Sequence, residues 1–218
     1  DKDSDTYLWN YSTGADVRTV AISADGEYIA AGSMIDGKEV YLFDKDSSTP
    51  LWNYTIVSGS AVNSVSISAD GKYIAAGTSY TVYLFDKDSS TPLWSYATGG
   101  TVYSVSISAD GEYITAGSAS LEPKVYFFDK DSSTPLWNYT TGNYVLSVAI
   151  SADGEYIAAG SSDTNVYFFG KDRNMPHWDY TITSAVMSIA ISADGEYIVA
   201  SSKDFKVYLF EKDSSTPL

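Results

Sequence analysis

Cysteine is absent from the chain, so neither a disulfide nor a thiolate metal site is available. No apolar run approaches the ~18–20 residues that span a bilayer as a helix. Cations are scarce: 13 Lys and Arg stand against 28 Asp and Glu, for a net charge of −15. Affinity for nucleic acid comes mainly from neutralising phosphates, so this balance argues against DNA, RNA or an anionic membrane as partner. The single histidine, His177, cannot build a zinc site without further His or Cys ligands. Sustained apolar spacing at i, i+3, i+4 and i+7 is also missing, and almost no helix is predicted.

What is abundant is repetition. The phrase "DKDSSTPLW" stands at Asp44–Trp52, Asp86–Trp94 and Asp129–Trp137, with a looser copy at Asp1 and a truncated one at Glu211–Leu218. "SADG" begins at Ser23, Ser68, Ser108, Ser151 and Ser192, at intervals of 45, 40, 43 and 41 residues. The five tryptophans keep step, at Trp9, Trp52, Trp94, Trp137 and Trp178. Fifteen of the 19 tyrosines fill three recurring slots. A period of ~40–45 residues with several short strands per unit signals a propeller blade.

Each unit carries four strand-like segments, illustrated by the second: A at Val62–Ser68, B at Tyr73–Thr78, C at Val82–Asp86 and D at Pro92–Tyr96. Asp-Gly turns A into B. Ser64, Ser66 and the Ala75-Ala76-Gly77 run leave room for close approach near an axis. Each D-segment tryptophan is expected to pin one blade to the next, since burying ~150–250 Å² is worth roughly 4–6 kcal/mol before entropy.

The ends complement each other. Thr6–Ser12 is a D strand with no A, B or C before it, and Val186–Ser192, Tyr197–Ser202 and Val207–Glu211 are A, B and C with no D after them. The predicted fold is therefore all-β: one five-bladed β-propeller over residues 1–218, with four antiparallel strands per blade. The N-terminal strand is expected to complete the last blade and so remove two open edges. A monomer closed within one chain is expected; exchange of Thr6–Ser12 between molecules is the alternative.

"SVAISADGEYIAAGS" (residues 147–161) resembles the core of WD-repeat and YVTN propellers, and "VYFFDKDSSTPLWNYTTG" (residues 125–142) resembles the tryptophan-docking blade of PQQ-like propellers. The resemblance spans essentially the whole chain. Similar tandem blades are common in exported archaeal and bacterial surface proteins, so it implies an extracellular or cell-surface location. The Trp-Asp and Gly-His signatures of ordinary WD repeats are missing, and nothing matches the cofactor and calcium residues of PQQ-dependent dehydrogenases. Five-bladed rings also resemble certain glycosidases and a lectin. Glycosidases need paired carboxylates, and the A segments here contain no Asp or Glu.

Asp44, Asp46 and Ser48 have the 1, 3, 5 spacing of a calcium loop but lack its glycine and its bidentate Glu, so a turn or cap is predicted. Asp25, Asp70, Asp110, Asp153 and Asp194 read as hairpin residues. His177 lies in a blade that breaks the phrase, with Gly170 for Asp and an added Arg173, and is expected in an exposed loop. No catalytic, cofactor or metal residue is assigned.

Three sequons, at Asn10, Asn53 and Asn138, are candidate glycosylation sites on the outermost strands. The A–B and C–D loops should share one end of the blades and are nearly identical between copies. The B–C and D–A loops should share the other end, and there the copies differ, at Met34–Glu39, Ser79–Thr81, Ser118–Lys124, Ser162–Asn165 and Lys203–Lys206. The second residue of each A strand differs too: Arg18, Asn63, Tyr103, Leu146 and Met187. A fixed scaffold with diversified loops is how a rigid platform gains a binding surface. These five residues and Tyr80 are the predicted contacts for a protein partner. A glycan partner, stacked on Tyr80 and Tyr103, is the alternative.

Overall fold

The structure, a computed structural model, describes residues 7–34, 38–57 and 60–218. All of its regular structure among those residues is strand. Blade 1 comprises β1 (Val17–Ile22), β2 (Tyr28–Ser33), β3 (Glu39–Asp44) and β4 (Trp52–Thr55). Blade 2 comprises β5 (Val62–Ile67), β6 (Tyr73–Thr78), β7 (Thr81–Asp86) and β8 (Trp94–Ala97). Blade 3 holds β9 (Thr101–Ile107), β10 (Tyr113–Ala119), β11 (Lys124–Asp129) and β12 (Trp137–Thr140). Blade 4 holds β13 (Val145–Ile150), β14 (Tyr156–Ser161), β15 (Asn165–Gly170) and β16 (Trp178–Thr181). Blade 5 holds β17 (Val186–Ile191), β18 (Tyr197–Ser202) and β19 (Val207–Glu211). Each blade is an antiparallel meander, so the fold is a five-bladed propeller with four strands in each of the first four sheets.

Outer strands begin two residues later than the sequence pattern placed them. Pro92 and Leu93 still belong to the turn, where the Leu93 N–H donates to Leu84 O at 2.8 Å. The turns themselves follow from local chemistry. In Ser68–Gly71 the Asp70 carboxylate accepts from Ser68 Oγ at 2.7 Å and from the Lys72 N–H at 3.0 Å. Gly71 supplies the left-handed backbone, with φ +72°.

Five contacts join each blade to its successor. The indole N–H of Trp52 reaches over to Lys87 O at 2.7 Å, and Trp94, Trp137 and Trp178 repeat the reach to Lys130, Lys171 and Lys212. The tyrosine opening each B strand lies on the hairpin glycine of the next blade: Tyr28 on Gly71, Tyr73 on Gly111, Tyr113 on Gly154 and Tyr156 on Gly195. A valine near the start of the A strand in blades 2 to 5, Val62, Val102, Val145 or Val186, presses on a B-strand glycine of the preceding blade. A Cβ added at Gly117 would sit 2.5 Å from Val145 Cγ1, so only glycine fits.

Two hydrogen-bond series complete the joint near the inner strands. Hydroxyls of Thr19, Ser64, Ser104 and Ser147 accept the N–H groups of Val65, Val105, Val148 and Ile189 across the blade boundary, at 3.0–3.1 Å. The Ala24, Ala69, Ala109 and Ala152 N–H groups donate to Ala69, Ala109, Ala152 and Ala193 carbonyls at 2.9–3.0 Å. The core is therefore four apolar layers between sheets, with Leu42, Leu84, Phe127 and Phe168 almost wholly buried in them.

Among the described residues blade 5 has three paired strands, and no strand pairs with the outer edge of β19. Of the expected closing strand Thr6–Ser12, Thr6 lies outside the described residues. Tyr7–Ser12 lies along blade 1 without entering a ladder. Trp9 stacks on Phe43 at 5.3 Å and donates to Lys45 O at 2.7 Å. That is the seat of a preceding blade's tryptophan, so the ribbon stands where the outer strand of such a blade would stand.

Candidate functional site

The diversified loops meet at one end of the blades, as the strand order requires. Backbone bonds tie the B–C loops to the D–A loops there: Thr98 N–H to Tyr80 O, Thr141 N–H to Pro123 O and Ile182 N–H to Thr164 O, all at 2.9 Å. Residues 35–37 of the first B–C loop lie outside the described residues.

Arg18, Asn63, Tyr103, Leu146 and Met187 share a backbone cause that the sequence did not reveal. Each is the extra residue of a β-bulge. Val62 pairs with Thr78 and Ser64 with Gly77, so Asn63 is skipped; the same slip falls at Arg18, Leu146 and Met187. In blade 3 Val102 pairs with Ser118 and Ser104 with Gly117, which skips Tyr103. A bulge residue leaves the ladder and is re-aimed, so its side chain is free of the packing that fixes its neighbours. Arg18, Tyr103 and Met187 are exposed, while Leu146 and Asn63 are half-buried. Asn63 Nδ2 donates to Val102 O at 3.2 Å, and Arg18 lies 3.9 Å from Met34 Sδ.

Tyr80 is exposed at the same end, and further apolar side chains that the sequence reading passed over join it. Val57, Leu121 and Phe205 are 90%, 104% and 101% exposed, and Tyr144 is 46% exposed. Lys38, Thr164 and Phe205, the described non-glycine residues with positive φ, all sit in these loops. Such backbone costs on the order of 1–3 kcal/mol and clusters at functional sites. The signal in the sequence was a bulky or β-branched residue at a turn position that prefers Gly or Asn.

Carboxylates at this end are held by neighbours. Asp204 accepts from Tyr208 OH at 2.6 Å, Thr183 Oγ1 at 2.7 Å and the Lys206 N–H at 3.1 Å. Those bonds, the tyrosine's first, lower its pKa to about 2. Asp163 accepts from Tyr167 OH and the Gly142 N–H, both at 2.7 Å. Glu39 accepts from Tyr41 OH and from Thr55 Oγ1, the latter at 2.8 Å. These acids brace loops. No group of three His, Asp or Glu among the described residues is placed to hold a metal ion.

The opposite end carries exposed apolar side chains too, at Leu51, Leu93, Leu136 and Met175, among carboxylates that cap their own loops. Asp44 caps its own loop by accepting the Asp46 N–H at 2.9 Å, and Asp86 and Asp129 do the same. Lys45 pairs with Glu27 and Lys130 with Glu112, both at 3.1 Å. His177 is exposed, as expected, but its setting is a packing change. Its ring fills the space above Gly170, where a Cβ would come 2.5 Å from Nε2, and Arg173 meets Nδ1 at 2.8 Å. Gly170, Arg173 and His177 are thus one coupled substitution. Burial and then the Arg173 charge lower the imidazole pKa.

Asn53, Asn138 and Asn10 are exposed, the first two on β4 and β12 and the third on the ribbon. No helix among the described residues is long and apolar enough to cross a membrane. A family model described as outer membrane protein assembly factor BamB, a PQQ-like repeat, matches residues 1–217. No curated protein matches the chain.

Proposed function

The chain belongs to this PQQ-like repeat family, and from that premise we propose a non-catalytic extracellular or cell-surface module that binds a protein partner through its diversified loop end. The observation that carries this reading is the set of apolar side chains at those loop tips. Val57, Tyr80, Leu121 and Phe205 are each more than half exposed. They differ from blade to blade, whereas the exposed Leu51, Leu93 and Leu136 of the opposite end are copies of one repeat position, and such variation suits specific contact. The bulge residues Arg18, Tyr103 and Met187 add unlike chemistry around it, which suits recognition of one specific partner. The family description names an assembly factor, which agrees with a scaffold that works by contact. Kinship with WD and YVTN repeats, and glycans at Asn10, Asn53 and Asn138, belong to the same proposal.

A photo-crosslinking residue at Leu121 or Tyr103, compared with one at Asp131 on the opposite end, tests it in the native host. The expected result is a protein adduct from the loop end only. Adducts from neither end, or equally from both, overturn the reading. Tyr80 and Tyr103, exposed at that end, also have the aromatic character of a sugar platform. Glycan-array binding that disappears in Tyr103→Ala would replace the protein partner with a carbohydrate.

A further inference from the structure

The C–D loops close by one rule in four copies and break it in blade 4. In the regular copies Ser47, Ser89, Ser132 and Ser214 fold back on their own loops. Each hydroxyl accepts the N–H of the residue two further on, at 3.0–3.1 Å. In three of these copies Asp44, Asp86 or Asp129 caps the loop as well. Blade 4 has Arg173 in the serine position and Gly170 in the aspartate position, so both local caps are gone. A loop that gives up caps its copies keep breaks a local rule, and such breaks concentrate at functional positions.

What replaces the caps is a presented guanidinium. Gly170 leaves room for the His177 ring, and Arg173 Nη2 lies 2.8 Å from His177 Nδ1. Arginine can only donate, so the imidazole accepts at Nδ1. No carboxylate among the described residues forms a salt bridge with Arg173, although the chain holds 28 acids. Residues 170–178 carry a net charge of +1, where the copies beginning at Asp44, Asp86 and Asp129 each carry −1. The next acid is also released. Asp46, Asp88 and Asp131 pair with the preceding lysine at 2.6–3.0 Å, whereas Lys171 pairs with Glu155 and leaves Asp172 without a salt bridge.

These side chains wall a hollow at the seam of blades 3 and 4. Asp172, Arg173 and Asn174 form one side, and Pro135, Leu136 and Asn138 line the other. Its volume is about 520 Å³, within the range of small-molecule sites. At the seam of blades 2 and 3 the polar positions hold Asp131, Ser132, Ser133 and Ser95, with no cation. The guanidinium fork matches a carboxylate. Asp172 accepts from hydroxyls, and the two asparagine amides can both donate and accept. Leu136, 54% exposed, offers an apolar edge.

We propose that this hollow binds an acidic sugar, with the carboxylate of a uronic acid unit on Arg173 and its hydroxyls on Asp172, Asn138 and Asn174. Asp172 separates the ligand classes, because it repels a bare anion and accepts from a sugar hydroxyl. His177 is a positioning residue that holds the guanidinium. The site lies at the end opposite the diversified loops and stands whether or not those loops bind a protein. A glycan attached at Asn138 would compete for the hollow, so the test uses chain whose intact mass shows Asn138 unmodified.

Nuclear magnetic resonance of the isotope-labelled chain, titrated with a trimer of galacturonic acid, tests this. Saturable shifts are expected at the Arg173 side chain and at the Asn138 and Asn174 amides. The methyl-esterified trimer keeps the hydroxyls and loses the charge; it should bind at least about tenfold more weakly, as should acetate, which supplies charge alone. Arg173→Ser restores the residue of the other copies. It should melt no lower than the parent and bind the acid trimer at least about tenfold more weakly. His177→Leu, also the residue of the other copies, should lower affinity for the acid trimer and leave that for the ester unchanged, which a general loosening of the loop would not do. No shift at millimolar trimer, equal binding of acid and ester, acetate as tight as the trimer, or unchanged binding by Arg173→Ser would each overturn the proposal.

Discussion

Blades 3 and 5 are built from nearly the same sequence and live in different surroundings. Phe127 of blade 3 is fully buried, stacked on Tyr113 at 5.3 Å and on Trp137 at 5.1 Å. Its counterpart Leu209 in blade 5 is 41% exposed. Val125 is fully buried, and its counterpart Val207 is 73% exposed. The same apolar pattern is therefore core in one place and surface in another. What decides is whether a following blade is present, which makes the stack close to a nearest-neighbour system.

The sharpest way to break that equivalence is to truncate the paired positions. Phe127→Ala should cost about 3–5 kcal/mol, the range for a buried aromatic. Leu209→Ala should cost under about 1 kcal/mol in the isolated chain. Chemical denaturation of both variants measures the gap; equal losses would mean that blade 5 is covered after all. A smaller difference is expected at the hydroxyl series. Ser104→Ala strands the buried-side N–H of Val148 and should cost about 1–3 kcal/mol, while Ser188→Ala should be near neutral.

The smallest contrast is a pH effect that should not distinguish the blades at all. Asp153 and Asp194 accept the same local bonds, from Ser151 and Glu155 in one turn and from Ser192 and Glu196 in the other. Both carboxyl pKa values are lowered: at Asp194 by the serine bond first, and at Asp153 by these bonds against a larger opposing burial effect. A carboxylate depressed in the folded state contributes stability above its unfolded pKa of about 3.9, and loses it as pH falls through the folded value. Melting temperatures of Asp153→Asn and Asp194→Asn followed from pH 6 down to about pH 2 should therefore converge on the parent by the same course. Divergence between the two would show that the turn reports on blade position.

Much of this was legible because it depends on local chemistry or on period. Five equally spaced tryptophans and Ser-Ala-Asp-Gly turns define blades, and hairpin order alone puts the variable loops at one end. The bulges were not legible, since Asn63 looks like any strand residue until the ladders on either side of it are seen to slip. Residues such as Leu121 and Phe205 were hidden in loops whose composition gives no sign of which side chain stands outward. Closure was argued from counting strands. Counting could not show that the ribbon's tryptophan is satisfied on blade 1 whether or not its backbone finds β19.

The recurring nine-residue phrase has a further consequence. Its lysine carbonyl receives the indole of the unit before, and its tryptophan is delivered to the unit after. Each copy thus encodes both sides of a coupling. Recombination between neighbouring copies would remove or add one whole unit and regenerate an intact seam at the crossover. The number of units is free to change from one generation to the next, while the chemistry that holds them together is inherited unaltered.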